Sequence, residues 1–303
     1  MDKPRILTVG DYPEWDRAGL EAAFTPVTTP GPGIRAVAFK GHAPFGAAEM
    51  DALPDLGLIA NFGVGYDAID VAAATARGVR VTNTPDVLTD DVADLAVGML
   101  IAVSRAIPAA DAWVRSGDWA AKGEFPLLSK VSGKRAGIIG LGRIGRAIAD
   151  RLVAFSMPIH YYARAPKDVP EGWTYHADPA ELADAVDYAI VALSGGPATE
   201  GLVSSDVIAA LGPNGTLVNV SRGTTVDEAA LISALQARRI KAAALDVFAS
   251  EPDADPRFAT LDNVLLQPHQ ASATIETRQA MGALQRDNIK AFFAGTPLLT
   301  PVN

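Results

Sequence analysis

Three ionisable residues follow apolar, strand-like runs in the second half of this 303-residue chain. Arg222 follows TLVNVS, Glu251 follows AAALDVFAS, and His269 follows NVLLQP. Because ligands of parallel α/β sheets bind where the strands end, we expect these side chains to share one edge. Taken singly, the arginine is more typical of a surface salt bridge, the glutamate of a turn before proline, and the histidine of a half-buried, hydrogen-bonded residue.

Together, the three residue types match the requirements of hydride transfer from a nicotinamide to a 2-oxo acid. The carboxylate needs a cation, which Arg222 would supply, and the carbonyl oxygen needs a proton, which His269 would donate. A carboxylate beside a histidine favours its charged form, so Glu251 would keep that proton available for reduction. In the reverse direction the neutral histidine would act as the base.

A glycine-rich turn precedes these residues in AGIIGLGRIGRAIADRL, where Gly140, Gly142 and Gly145 have G-x-G-x-x-G spacing. The first glycine permits a tight turn, the second lets backbone approach a pyrophosphate, and the third lets the helix pack on the strand. Such turns also serve packing alone, but the flanking strand and helix favour a dinucleotide site. The predicted backbone contacts are Gly140, Leu141, Gly142, Arg143, Ile144 and Gly145.

The segment IHYYARAPK lies where dinucleotide-binding chains usually place an acid for the adenosine ribose. Here Ala163 removes the charge that would repel a 2′-phosphate, and Arg164 with Lys167 offers cations for it. The alternative is that both are ordinary solvated loop charges. The sequence therefore predicts NADP, with NADPH preferred over NADH.

Short apolar runs alternate with alanine-rich helical segments, which is typical of parallel α/β units. Six predicted strands in the second part of the chain match one doubly wound sheet, so four earlier strands are assigned to a smaller, separate domain. The last helix ends before Gly295 and is long enough to return to the first domain. Thr225 and Glu228 fit a capping box for an earlier helix. The four early strands lie in RILTVG, IRAVAFK, LGLIANFG and VRVTN, and the six later ones in RAGIIG, PIHYYA, YAIVAL, TLVNVS, AAALDV and NVLLQPH.

Composition narrows the classes of partner and compartment. The chain has no cysteine, which excludes disulfides, thiolate metal sites and a cysteine nucleophile, and no metal site is predicted. A net charge of −9 without a Lys/Arg run argues against nucleic acid. No signal peptide is recognised, and the apolar stretch VADLAVGMLIAV is too short to span a bilayer. We therefore expect a cytoplasmic protein without a membrane partner.

In the order of its sequence motifs, the chain resembles the D-isomer-specific 2-hydroxyacid dehydrogenases, in particular glyoxylate/hydroxypyruvate reductases and plant hydroxyphenylpyruvate reductases. The resemblance covers essentially the whole chain, through NFGVGYDAID, VTNTPDVLTDDVADLAVG, VRSGDW, SGKRAGIIGLGRIGRAIA, TLVNVSRGTTVDEAALISAL, ALDVFASEP and PHQASAT. It implies an α/β fold with a doubly wound, parallel-sheet coenzyme domain over 99–282. A smaller flavodoxin-like substrate domain would comprise 1–98 and 283–303, with the active site in the cleft.

The same resemblance implies roles for individual residues. Arg222 would bind the substrate carboxylate, His269 would be the acid/base, and Glu251 its partner. The N–H groups of Val64 and Gly65 would hold the other side of the carboxylate. Asp246 would accept a hydrogen bond from the nicotinamide carboxamide of the cofactor, and Val220 with Ser221 would line the nicotinamide ribose.

The resemblance also implies a homodimer through the coenzyme domain, and the irregular stretch 116–134 is a candidate contact. The favoured activity is NADPH-dependent reduction of glyoxylate and hydroxypyruvate to D-2-hydroxy acids. A hydroxyphenylpyruvate or phenylpyruvate reductase is the alternative within the family. A formate dehydrogenase is disfavoured, because those enzymes pair their histidine with glutamine, whereas Glu251 stands here. The alternative of another class is a non-catalytic NAD(P)-sensing protein of the same fold.

The chain departs from the pattern of this family at two places. The loop after the third coenzyme strand reads LSGGP over 193–197 where many members have Leu-Pro-Leu-Thr-Pro. Gln267 stands before Pro268 where a threonine is usual. The first departure leaves the cofactor contacts of that loop open, and the second is expected to matter little.

Overall fold

The computed structural model describes residues 3–303 and divides into two compact units. The first comprises the chain up to Leu88 together with Ser272–Asn303, and the second comprises Thr89–Ala271. These boundaries lie earlier than the predicted ones at 98/99 and 282/283. The reason is helical continuity, because the predicted boundaries would cut the helices Thr89–Ser104 and Ile275–Ala294. The first of these helices packs on Arg143–Val153 within the second unit.

A five-stranded sheet forms the centre of the first unit, in the order β2-β1-β3-β4-β5, and each neighbouring pair is parallel. Its third and fourth strands are buried on both faces, which explains their unbroken apolar runs AVAF and LIAN. The elements up to Leu88 are β1 (Arg5–Val9), α1 (Glu14–Ala23), β2 (Thr25–Val27), β3 (Ala36–Phe39), α2 (Ala47–Asp51), β4 (Leu58–Asn61), α3 (Val71–Ala76) and β5 (Arg80–Thr82).

The second unit is built on a seven-stranded parallel sheet in the order β12-β11-β10-β9-β6-β7-β8. The chain runs outward from β6 in both directions, so the strand order reverses between β6 and β9, which is the doubly wound arrangement. Its elements are α4 (Thr89–Ser104), α5 (Ile107–Arg115), α6 (Asp118–Lys122), β6 (Ala136–Ile139), α7 (Arg143–Val153), β7 (Ile159–Tyr162), β8 (Thr174–His176), α8 (Pro179–Ala185), β9 (Tyr188–Val191), α9 (Ser205–Ala210), β10 (Thr216–Asn219), α10 (Glu228–Gln236), β11 (Ala242–Leu245) and β12 (Val264–Leu266).

Both sheets contain one strand more than the sequence predicted. The ten predicted strands are present, and the additional ones are β2 and β8, each three residues long at a sheet edge. Their sequences, TPV and TYH, lack an apolar run, and β2 contains a proline that only an edge strand tolerates. Neighbouring strands, rather than local pattern, therefore define them.

The predicted capping box at the start of α10 is wrong. Asp227 is the N-cap, and its carboxylate accepts the N–H of Ala230 at 2.9 Å. Thr225 instead donates its hydroxyl to the carbonyl oxygen of Arg222 at 2.7 Å, while the Glu228 carboxylate accepts the N–H of Ala249. Both side chains thus serve the loops around Arg222 rather than the helix end.

The C-terminal helix α11 (Ile275–Ala294) packs on β3, β4 and α1, so the predicted return to the first unit is confirmed. It ends at Gly295, whose φ of 69° lies in the left-handed region that favours glycine. Within residues 3–303, no single helix is long and apolar enough to cross a bilayer. The helices α4 and α5 reach that length and composition only as a pair, with a 57° bend between them.

Candidate active site

Glu251 and His269 are in direct contact in the second unit. The Nδ1 atom of His269 lies 2.6 Å from Oε2 of Glu251, and both side chains are partly buried. The other carboxylate oxygen, Oε1, accepts the N–H of Phe248 at 2.9 Å. One oxygen therefore anchors the loop, while the other fixes the orientation of the imidazole ring.

The backbone around His269 is held in an uncommon conformation. His269 has a φ of 50°, in the left-handed region, and its N–H donates to the carbonyl oxygen of Asp246 at 2.8 Å. The two carboxylate oxygens of Asp246 accept the N–H groups of Gln270 and Ala271 at 2.8 and 2.9 Å. Such a φ costs about 1–3 kcal/mol for a residue with a side chain, so the surrounding hydrogen bonds must impose it.

Asp246 holds this turn from a buried position, since the residue is only 1% exposed. Burial raises the pKa of its carboxyl group, although the hydrogen bonds from Gln270 and Ala271 oppose that shift. The predicted contact with a nicotinamide carboxamide stays a prediction. What the structure adds is a second task for Asp246, the positioning of the turn that carries His269.

Arg222 stands in a loop that buried polar side chains fix from beneath. The amide of Asn219 donates to the carbonyl oxygen of Arg222 at 3.1 Å, and its oxygen accepts the hydroxyl of Ser221 at 2.8 Å. The hydroxyl oxygens of Ser221 and Thr225 are 2.9 Å apart. Each of these three supporting residues is at most 4% exposed. The guanidinium donates to the carbonyl oxygen of Ser221 at 2.8 Å, so the loop also directs the arginine side chain.

Gly223 brings the Arg222 loop against the loop that carries Glu251. A Cβ atom at Gly223 would lie 1.8 Å from the carbonyl carbon of Phe248, a separation that no side chain permits. Because β10, β11 and β12 are adjacent in the sheet, the residues that follow them share its carboxyl edge. The expectation that Arg222, Glu251 and His269 lie along one edge is met.

The glycine turn between β6 and α7 has the geometry that its spacing predicts. Gly140 has a φ of 103°, and an added Cβ at Gly145 would lie 2.1 Å from the carbonyl oxygen of Gly140. At Gly142, in contrast, an added Cβ would meet no atom within 4 Å. Gly142 is the N-cap of α7, and no side chain caps that end. The turn therefore leaves an open approach to the first N–H groups of α7, which fits a bound pyrophosphate.

Hydrogen bonds from two tyrosine hydroxyls hold the loop after β7 against the sheet. Tyr161 accepts the N–H of Lys167 through its hydroxyl at 3.1 Å, and Tyr175 donates its hydroxyl to the carbonyl oxygen of Ala163 at 3.3 Å. Ala163 is buried, whereas Arg164 and Lys167 are exposed. Within the described part of the chain, neither cationic head forms a hydrogen bond or ion pair.

The predicted cofactor residues on the opposite side of β6 are placed as follows. Val220 is buried directly after β10, and its N–H donates to the carbonyl oxygen of Val191. Ser221 is also buried, with its hydroxyl engaged by Asn219 and Thr225. Their contacts to a nicotinamide ribose stay predictions. In the LSGGP loop, the carbonyl oxygen of Ser194 accepts the hydroxyl of Thr199 at 2.6 Å.

Val64 and Gly65 belong to the first unit, in the turn that follows β4. The amide of buried Asn61 donates to the carbonyl oxygens of Gly63 and Gly65 at 3.0 and 2.8 Å. The amide of Asn83 donates to the carbonyl oxygen of Val64 at 2.9 Å. The N–H groups of Val64 and Gly65, in contrast, donate to no other residue within 3–303. The turn thus offers two N–H donors to an anion.

Sequence reasoning missed the residues that support the site. Asn219 and Gly223 flank Arg222 in NVSRG, and the glycine after the arginine is the signal that could have indicated a close approach. Arg146 also escaped notice, although its guanidinium lies 4.8 Å from the ring centre of Trp173 and contacts the carbonyl oxygen of Asp168. That contact lies beside the Arg164 loop and depends on tertiary packing, so local sequence carries no sign of it.

Comparison with known proteins identifies relatives along the full length of the chain. The family model described as D-isomer specific 2-hydroxyacid dehydrogenase, NAD binding domain, matches residues 97–271. The hydroxyphenylpyruvate reductase of Plectranthus scutellarioides is 49% identical over 269 residues, which cover 89% of this chain and 85% of that protein.

Solved structures match in both sequence and fold. A 2-hydroxyacid dehydrogenase from Ketogulonicigenium vulgare Y25 is 53% identical, with a TM-score of 0.94 over 100% of this chain and 99% of the other. The NADPH-dependent glyoxylate/hydroxypyruvate reductase of Sinorhizobium meliloti, solved in complex with NADP and malonate, is 45% identical. Its TM-score is also 0.94, over 99% of this chain and 97% of that one.

Proposed function

The chain belongs to the D-isomer specific 2-hydroxyacid dehydrogenase family, and from that premise we propose that it reduces small 2-oxo acids to D-2-hydroxy acids with NADPH. Glyoxylate and hydroxypyruvate are the substrates proposed first. The observation that carries the proposal is the His269–Glu251 contact, 2.6 Å long, on the strand edge that Arg222 shares. Similarity to an NADPH-dependent glyoxylate/hydroxypyruvate reductase supports the same chemistry.

The proposed reaction adds a hydride to the carbonyl carbon and a proton to the carbonyl oxygen. The nicotinamide cofactor supplies the hydride when it is bound. The imidazolium of His269 donates the proton through Nε2, since Nδ1 is held by Glu251, and the neutral ring accepts a proton in the reverse direction. Arg222 binds the substrate carboxylate and thereby orients the carbonyl group toward His269.

We propose that the second unit holds the cofactor and that the first unit is the substrate domain. The open approach at Gly142 and the uncapped start of α7 support a pyrophosphate at this turn. The N–H groups of Val64 and Gly65 would bind the substrate carboxylate. The residues proposed to contact the dinucleotide are Gly140, Leu141, Gly142, Arg143, Ile144, Gly145, Ala163, Arg164, Lys167, Val220, Ser221 and Asp246.

The preference for NADPH over NADH is assigned to the loop after β7. Ala163 places no carboxylate where a 2′-phosphate would be repelled. The exposed Arg164 and Lys167 supply two cations, and the tyrosine contacts to Ala163 and Lys167 hold the loop in position for them. A fork-shaped guanidinium is well suited to a dianionic phosphate.

We propose a homodimer that forms through the second unit. A cavity of about 520 Å³ lies beside β12 and the end of α4, lined mainly by apolar residues such as Val103, Pro108 and Leu266. Leu127 at its margin is fully exposed, and Trp119, on α6, is 62% exposed. Exposed apolar surface of this kind is typical of an interface between subunits. Sedimentation velocity of the wild type and of Leu127→Asp tests the proposal, and a monomeric wild type would contradict it.

We further propose a cytoplasmic enzyme with no nucleic-acid or membrane partner. A net charge of −9 without a Lys/Arg run supports the absence of a nucleic-acid surface. Cell fractionation of the tagged chain would test the compartment, and recovery with membranes would contradict it.

One panel of initial rates tests cofactor and substrate together. NADPH and NADH are each combined with glyoxylate, hydroxypyruvate, phenylpyruvate and 2-oxobutyrate. We expect the highest kcat/KM with NADPH and one of the two smallest acids. Tight cofactor binding without turnover of any of these acids would contradict the proposal and favour a sensing protein.

The second candidate is reduction of hydroxyphenylpyruvate, which the 49% identity to a hydroxyphenylpyruvate reductase favours. Tyr66, which follows the Val64–Gly65 turn and is 39% exposed, is a candidate contact for an aromatic side chain. A higher kcat/KM for hydroxyphenylpyruvate than for glyoxylate would establish this activity in place of the first.

A further inference from the structure

Asn83, which follows β5, contacts the turn after β4 that carries Val64 and Gly65. Its side-chain amide donates to the carbonyl oxygen of Val64 at 2.9 Å. The peptide bond between Val64 and Gly65 is trans and planar, so its carbonyl oxygen and its N–H point in opposite directions. Because Asn83 holds the Val64 carbonyl, it directs the N–H of Gly65 to the opposite side of that peptide plane.

The N–H of Val64 is oriented in the same way, but by other residues. The carbonyl oxygen of Gly63 belongs to the same peptide plane, and it accepts the Asn61 amide at 3.0 Å and the N–H of Thr84 at 2.9 Å. Two donors thus fix the plane of the first N–H group. The direction of the second depends on the side-chain amide that follows β5.

Asn83 is held in turn by the segment that follows α11. Pro301 forms an antiparallel bridge with Thr82, at the end of the edge strand β5. The hydroxyl of Thr300 donates to the carbonyl oxygen of Asn83 at 2.6 Å, and the carbonyl oxygen of Thr300 accepts the N–H of Asn83 at 3.3 Å. The backbone of Asn83 is therefore fixed from both its donor and its acceptor side.

Asn288, on α11, fixes the position of Thr300. Its amide nitrogen donates to the hydroxyl of Thr300 at 2.9 Å, and its oxygen accepts the N–H groups of Leu299 and Thr300 at 3.0 and 3.2 Å. Asn288 is 0% exposed, so these hydrogen bonds start from the interior. One chain of hydrogen bonds thus runs from α11 through Thr300 and Asn83 to the carbonyl oxygen of Val64.

We propose that Asn83 is a positioning residue for the substrate carboxylate and that Thr300 supports it. An N–H group binds an anion best when its direction is set before the anion arrives, and Asn83 sets the direction of the Gly65 N–H. This inference rests on the proposed function, because it concerns the turn that is proposed to bind the carboxylate of the 2-oxo acid. It extends substrate recognition to two segments that supply no proposed substrate contact.

The test uses Asn83→Leu and Asn83→Ala, which both remove the amide but differ in size. In each variant KM for glyoxylate should rise about 10–100-fold, as expected for a weakened hydrogen bond to a charged group, while kcat stays within about threefold of wild type. KM for NADPH should change by less than about twofold, because the cofactor is proposed to bind the second unit. A rise in Asn83→Leu without one in Asn83→Ala would be an effect of side-chain volume and would refute the proposal.

Two further variants separate positioning from general support of this sheet edge. Thr300→Val removes the hydroxyl that holds Asn83, and KM for glyoxylate should rise about 2–10-fold. The matched control is Asn303→Leu, because the Asn303 amide donates to Thr75 and Val79 at the other end of β5. It should lower the unfolding temperature as Asn83→Leu does but leave KM for glyoxylate within about twofold. An equal rise in KM for the two Asn→Leu variants would refute the role of Asn83, and an unchanged KM in Thr300→Val would refute that of Thr300.

A binding measurement separates this inference from the proposed reaction. Oxamate has one carboxylate and carries an unreactive amide where glyoxylate has its aldehyde. By titration calorimetry with NADP⁺ present, Asn83→Leu should bind oxamate about 10–100-fold more weakly than the wild type, whether or not any acid is reduced. If the wild type reduces glyoxylate but Asn83→Leu keeps its KM and its oxamate affinity within about twofold, the role of Asn83 is refuted and the proposed function stands. If oxamate shows the Asn83 effect but no acid is turned over, the proposed reaction fails and the carboxylate site stands.

Discussion

The loops that carry Arg222 and Arg164 follow strands of the same sheet, yet they are built differently. Buried Asn219, Ser221 and Thr225 hold the Arg222 loop, and Gly223 packs it against its neighbour. The Arg164 loop is attached through two tyrosine hydroxyls, and its two cationic side chains extend into solvent. We infer that the first loop is preorganised for chemistry, whereas the second adjusts the choice of cofactor.

The largest effect is expected at His269, on the strand edge that Arg222 shares. His269→Ala should lower kcat by about 10²–10⁴-fold, because a positioned general acid contributes that much. Steady-state kinetics with NADPH and glyoxylate measure it. The control is His176→Ala in the same unit, where the histidine contacts His160 instead, and its kcat should stay within about twofold of wild type. Near-wild-type turnover of His269→Ala would show that His269 is not the general acid.

The buried hydrogen bonds that hold the Arg222 loop should contribute to the free energy of unfolding. Thr225→Val removes a hydroxyl that contacts Ser221 and the carbonyl oxygen of Arg222, and it should cost about 1–3 kcal/mol of unfolding free energy. Thermal unfolding should register about 2–4 °C per kcal/mol in a unit of this size. Thr224→Val is the matched exposed control, with an expected change below about 0.5 kcal/mol. Equal effects of the two substitutions would mean that the loop is not held from beneath.

At the cofactor loop, a selective effect is expected. Arg164→Ala should raise KM for NADPH about tenfold or more and leave KM for NADH nearly unchanged, since only NADPH carries the 2′-phosphate. Arg238→Ala, an exposed arginine paired with Asp262, is the control for loss of surface charge. An equal rise in KM for both cofactors would mean that Arg164 supports the structure of the site rather than binding the 2′-phosphate.

The smallest effect is expected at Lys167. Because this lysine is exposed and acts as a point charge, Lys167→Ala should raise KM for NADPH by only about 2–5-fold. Measurements at low and high salt should show the difference shrinking as the charge is screened. An effect larger than that of Arg164→Ala would reverse the proposed division between the two cations.

Much of the fold was predictable because apolar runs in parallel sheets are continuous and their ends are marked by glycine or polar residues. The ten predicted strands and α11 follow from such patterns, as do the positions of Arg222, Glu251 and His269 after adjacent strands. The edge strands β2 and β8 were missed because hydrogen bonds to a neighbour, rather than side-chain pattern, define them. The capping box failed because tertiary contacts engage Thr225 and Glu228 elsewhere.

The sequence by itself determined the residue types at the strand ends and the glycine spacing, since both depend on local chain geometry. Only the tertiary structure decided how those residues are held. The contact that fixes His269, the close approach of Gly223 to Phe248, and the hydrogen bond from Thr300 to Asn83 all join segments distant in sequence. Such contacts depend on which strands become neighbours, and local residue patterns do not specify that order.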